Sequence, residues 1–184
     1  HYEQSTKRPQ LLKMDSDNYA TLYGGINDED VLERTLDPSS TVTAIQRLIA
    51  SEQACTVIAD DFSRQDSKTR LLMNGINHLT VTPESQAKEK IVELMWKLWG
   101  TITTSKSELV NRHYNLLTGL QTDGAQLVTK NLASNTINTS CVRTDDINNG
   151  DELNVAIDND KQFIIRAWMG LVQAMLFDHR FLYE

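Results

Sequence analysis

The segment FIIRAWMGLVQAMLF, Phe163 to Phe177, limits the fold more than any other part of the chain. Its apolar residues cover almost the whole circumference of a helix. Arg166, Gly170 and Gln173 form one narrow polar or small stripe. A surface helix has one apolar face, so a helix apolar on most sides must be surrounded by its own domain or completed by another subunit. The segment is shorter than the ~20 apolar residues a bilayer requires, and Arg166 interrupts it. No membrane span is expected. The helix is predicted to run from about Asp160 to Tyr183 and to form the centre of the fold.

Other helices must then supply its neighbours. Asp37-Pro38 has the form of an N-cap followed by proline at the first helical position. Val42, Ile45, Leu48, Ile49, Cys55, Ile58 and Phe62 follow it at helical spacing. Thr82-Pro83-Glu84 opens a helix through residue 103, with Ala87, Ile91, Leu94, Met95, Leu98 and Ile102 on one face. Ser105-Lys106-Ser107-Glu108 has the capping-box form, and Leu109, Val110, His113, Leu116, Leu117 and Leu120 follow. Asp123-Gly124 predicts a turn, and residues 125–133 a further short helix. Asn27 is placed to cap another short helix through Leu36.

These signals predict a mostly α fold, a compact bundle of about five to seven helices with the C-terminal helix central. Helices 38–62, 83–103 and 105–120 pack around it. Residues 1–18 read as an extended arm, and 19–184 as a single helical domain. The β content expected is at most one small hairpin near 141–157. The alternative is an α+β domain in which 76–81 and 152–157 join a small sheet.

The hairpin expectation comes from DDINNGDELNVAIDND, Asp145 to Asp160, which carries six carboxylates and no cation. An EF-hand loop needs oxygen ligands at positions 1, 3 and 5, glycine at 6 and glutamate at 12. With Gly150 at position 6, Ile147 stands at position 3 and Ala156 at position 12. The calcium motif is absent. Asn149-Gly150 is instead a favoured two-residue hairpin turn, because both positions tolerate positive φ. Leu153, Val155 and Ile157 then alternate with polar or small residues on its far side.

The net charge is −7, which disfavours binding to a phosphate backbone. Along 84–117, Lys88, Lys90, Lys97, Lys106 and Arg112 face Glu84, Glu89, Glu93 and Glu108. That is a mixed solvated surface, not an electrostatic track. No nucleic acid is expected.

Catalytic signatures are few. The histidines are His1, His78, His113 and His179, and none has a second histidine or a cysteine at metal-ligand spacing. Nucleophile-elbow, phosphate-loop and dinucleotide motifs are absent, so no cofactor and no metal are expected. Two polar residues fall on apolar stripes. Glu52 lies near the middle of its helix's apolar arc, where a lone carboxylate is costly unless paired. A buried ion pair is the simpler account, and a tuned acid the sharper one. His113 reads as a core histidine with one hydrogen bond before it reads as catalytic. The balance of these signals is against an enzyme, and an enzyme using Glu52 and His113 is the third-ranked function.

Two cysteines, Cys55 and Cys141, are too few for a disulfide scaffold or a thiolate zinc site. Reduced thiols are the simpler expectation. A Cys55–Cys141 bond is the alternative, tying a helix to the loop region. Asn138-Thr139-Ser140 is a glycosylation sequon in a secreted chain.

Trp96 points away from the apolar face of its helix, which predicts a second contact surface. Trp96, Trp168, Phe177 and Phe181 are the candidate interaction residues. The function expected first is a non-catalytic helical interaction or assembly domain, a component of a larger complex such as a virion or a secretion machine. Its partners are proteins, a second copy of the chain among them. The second expectation is a secreted or periplasmic helical binding domain with one disulfide. Leu182-Tyr183-Glu184 resembles the hydrophobic-x-Glu sites after which head proteases of some tailed phages cut. With His1 in place of an initiator methionine, that resemblance implies a processed virion component.

Overall fold

The structure, a computed structural model, describes residues 40–64, 67–137 and 159–178. It is helical. The α-helices are α1 (Ser40–Ser63), α2 (Glu84–Trp99), α3 (Glu108–Thr129) and α4 (Ile164–Phe177), with a 3-10 turn at Ser67–Thr69 after α1. The described residues thus hold four α-helices and no strand, fewer than the expected five to seven helices. The arm at 1–18, the short helix at 27–36 and the hairpin near 141–157 lie outside the described residues. The chain divides into two units, His1–Gln53 and Ala54–Glu184. Of the first unit the described part is the N-terminal stretch of α1, in which Gln46 and Ala50 are buried.

In the second unit α4 is the centre of a helical bundle. Ile164, Ile165, Ala167, Trp168, Met169, Leu171, Val172 and Met175 are buried along its fourteen residues. They join one core with Ala54, Ile58, Ala59 and Phe62 of α1, Ala87, Ile91, Leu94, Met95 and Trp99 of α2, and Val110 and Leu117 of α3. The nearly continuous apolar circumference of 163–177 is therefore used inside the unit.

The helix starts four residues later than the sequence predicts. Asp160 stands before it as the acceptor of its first turn. Its buried carboxylate takes the N–H of Ile165 at 3.0 Å and of Arg166 at 3.3 Å. These are donors that a helix N-terminus leaves without an intrahelical acceptor. Phe163, at the N-cap, has φ +56 and no side-chain cap bond of its own. Arg166 folds back over this corner. Its Nε donates to Asp160 Oδ2 at 2.8 Å, its Nη1 to the Ser134 carbonyl at 2.8 Å, and its guanidinium lies 4.1 Å from the Phe163 ring centroid.

Asp123-Gly124 is not a turn. α3 continues through both to Thr129, and no separate helix forms at 125–133. Glycine lowers helix propensity, but tertiary packing overrides that preference here. Gly124 is buried, and a Cβ built on it would lie 2.1 Å from Phe163 Cδ1. A matching contact sits farther along. A Cβ on Gly170 of α4 would lie 2.8 Å from Leu120 Cδ1 of α3. Each helix gives up a side chain where the other presents one.

Three smaller expectations also change. α3 is capped by Ser107, whose Oγ accepts from Val110 N at 3.3 Å, and not by Ser105. α2 stops at Trp99 because Gly100 adopts φ +64 and returns its N–H to the Trp96 carbonyl. Ile102 consequently leaves the helical face and is 92% exposed. Residues 76–81 form no strand. Ile76 is buried, but Leu79 and Val81 are exposed, and Asn77 Oδ1 accepts Leu79 N at 2.8 Å. That local acceptor bends the chain in place of a ladder. Among the described residues nothing forms the sheet of the α+β alternative.

Candidate functional site

The most elaborately held polar region is the connection between α1 and α2. Asp61, at the end of α1, is buried and accepts three successive backbone N–H groups, Leu71 at 2.6 Å, Leu72 at 3.0 Å and Met73 at 2.6 Å. Arg70 is buried beneath the same connection. It donates to the carbonyls of Ile76 at 2.6 Å, Phe62 at 3.3 Å and Arg64 at 3.3 Å, and lies 5.0 Å from the Phe62 ring centroid. The His78 ring meets Phe62 edge-on, with centroids 6.2 Å apart. Burial and the neighbouring Arg70 charge hold the His78 imidazole below its ordinary value, while the Asp160 carboxylate acts in the opposite sense.

α2 grips the connection from the other side. Lys90, a cation expected on the mixed solvated surface, is buried and donates to Asn74 Oδ1 and to Glu93 Oε2. Lys97 donates to the Leu71 carbonyl at 2.6 Å and pairs with Glu93 Oε1 at 2.6 Å. Gln86 Nε2 donates to the Gly75 carbonyl at 2.9 Å. Burial pushes the Glu93 carboxyl up, but the hydrogen bonds and charges of Lys90 and Lys97 outweigh it and hold the group below its ordinary value. Lys88–Glu84 and Arg112–Glu108 are further pairs, so this charge is spent within the helical surface as its mixed signs suggest.

Several apolar side chains are exposed on this framework, among polar ones such as Asn74, Asn77 and Thr80. Leu71 is 65% exposed although its N–H and C=O are both fixed. Trp96 is 60% exposed and precedes Lys97, the residue that reaches the Leu71 carbonyl. Leu79 and Val81 are exposed on the same connection. Of the candidate interaction residues, Trp96 is therefore at the surface. Trp168 is 1% exposed and belongs to the core, because α4 is enclosed on that side. Phe177 is half-buried, and Phe181 lies outside the described residues. Leu71, Leu79 and Val81 were not among the candidates. Sequence offers no signal for them, since an exposed leucine in a connection has the same spelling as a buried one.

The two polar candidates belong to different units. Glu52 is half-buried and belongs to the first unit. His113 is half-buried in the second, where its Nδ1 meets the Leu109 carbonyl at 2.8 Å and its ring packs edge-on against Trp99 at 5.5 Å between centroids. Trp99 in turn donates Nε1–H to the Met175 carbonyl at 3.1 Å, joining α2 to α4. Among the described residues no group of three or more His, Cys, Asp or Glu side chains is placed to hold a metal ion. No helix among them is long and apolar enough to cross a membrane.

Cys55 is disulfide-bonded, against the expectation of reduced thiols. The chain's other cysteine, Cys141, lies outside the described residues. Spacing along the chain carries no information on whether two distant cysteines meet, because disulfide geometry is set in space.

Comparison with known proteins returns no match: no family model, no curated protein and no solved structure is similar to this chain.

Proposed function

We propose that this chain is a non-catalytic interaction domain that docks a protein partner, or a second copy of itself, through the surface around Trp96. The observation that carries this reading is the 60% exposure of Trp96 on α2, a helix that its neighbour Lys97 ties to the Leu71 carbonyl. Large aromatic side chains left in water on a rigid surface are costly unless a partner covers them, and tryptophan is enriched among the residues that dominate interface energies. A pre-ordered backbone lowers the entropy lost on docking. The test is the size of the native assembly in extracts of the source cells, compared between the wild-type chain and Trp96→Ser. The expected result is a larger species for the wild type, and a monomer with unchanged melting temperature for the variant. A wild-type chain running at monomer size would end this reading.

A second reading is favoured by one specific observation, the Cys55 disulfide. Disulfides persist in oxidising compartments and are rare in the cytosol. On this reading the domain works outside the cytosol, as a secreted or periplasmic binding domain. Thiol labelling of the chain taken directly from its source decides it. Blocked Cys55 before reduction supports it, and full labelling without reduction rejects it.

A further inference from the structure

We draw no further inference here: the strongest candidate, the exposed patch of Leu71, Leu79 and Trp96 on α2 and the connection before it, belongs to the surface already described, and nothing in the structure shows what kind of partner covers it.

Discussion

Gly124 of α3 lies directly against the ring of Phe163, so close that a Cβ on the glycine would stand 2.1 Å from Cδ1 and 2.2 Å from Cγ. Phe163 is also the residue whose left-handed backbone turns the chain into α4. The Asp160–Arg166 contacts hold the backbone and so fix Cβ of Phe163, which leaves rotation about χ1 as the ring's way to yield, and Arg166 stacks on that ring.

This relationship inverts an ordinary mutational rule. Glycine to alanine inside a helix normally stabilises by about 1 kcal/mol. At Gly124 the added methyl meets the ring, and overpacking costs about 1–3 kcal/mol. Gly119 lies in the same helix, is exposed, and has open space where its Cβ would be. Gly119→Ala should raise the urea midpoint and Gly124→Ala should lower it. Equal gains from both substitutions would mean that α3 and α4 are not in close contact at this level.

Asp61 holds three backbone donors, and Met73 N among them is buried. Each buried donor left without an acceptor costs about 1–3 kcal/mol. Asp61→Ala is expected to destabilise by about 2–4 kcal/mol, with water reaching the remaining donors. Amide hydrogen exchange should also speed up at Leu71, Leu72 and Met73 before the α4 core opens. Unchanged protection at those three amides would contradict the arrangement.

Acid should weaken the fold in two windows. His78 titrates below its ordinary 6.5 in the folded chain. The unfolded chain therefore takes up the proton first, and stability falls as pH drops below about 6.5 towards the folded value. Above 6.5 the group is neutral in both states and contributes no slope. Glu93 titrates below its ordinary 4.5 when folded. Its contribution is complete above 4.5 and is lost as pH falls from there through the folded value. Melting temperature followed from pH 7.5 down should show both losses. His78→Gln should flatten the upper window and leave the lower, and Glu93→Gln should do the reverse.

The tryptophans should separate cleanly. Trp168→Ala removes a fully enclosed side chain and should cost about 3–5 kcal/mol. Trp96→Ala changes an exposed side chain and should fall within about 0.5 kcal/mol of wild type. Truncation after Asp160 removes α4, and with it the helix around which α1, α2 and α3 share one core. The truncated chain should show no cooperative melt. A soluble, monomeric, cooperatively melting product would place α4 at the periphery.

The legible parts of this protein are those written in local pattern. The all-round apolar run of 163–177 predicts a central helix, and α4 is central. Ala87, Ile91, Leu94 and Met95 recur at helical spacing, and all four are buried. Trp96 falls off that face by rotation alone, and it is exposed. Helical periodicity reports which side of a segment leaves water, and one sequence window contains it whole.

The tertiary structure decided everything that depends on a second segment. Gly124 spells a turn to any reader of α3 alone; it is helical because Phe163, thirty-nine positions away, fills the space its side chain would take. Lys90 reads as part of a solvated surface but is buried, and it is tolerated there because Asn74 and Glu93 receive its charge. Residues 76–81 alternate enough to suggest a strand, but no neighbouring strand is present among the described residues, and Asn77 supplies the hydrogen bond locally. Cys55 gained its bond in the same way. Local free-energy differences of about 1 kcal/mol set propensity, whereas one misplaced methyl group or one unsatisfied buried donor costs as much or more. Where the two conflict, the packed neighbour wins, and a single window of sequence does not contain that neighbour.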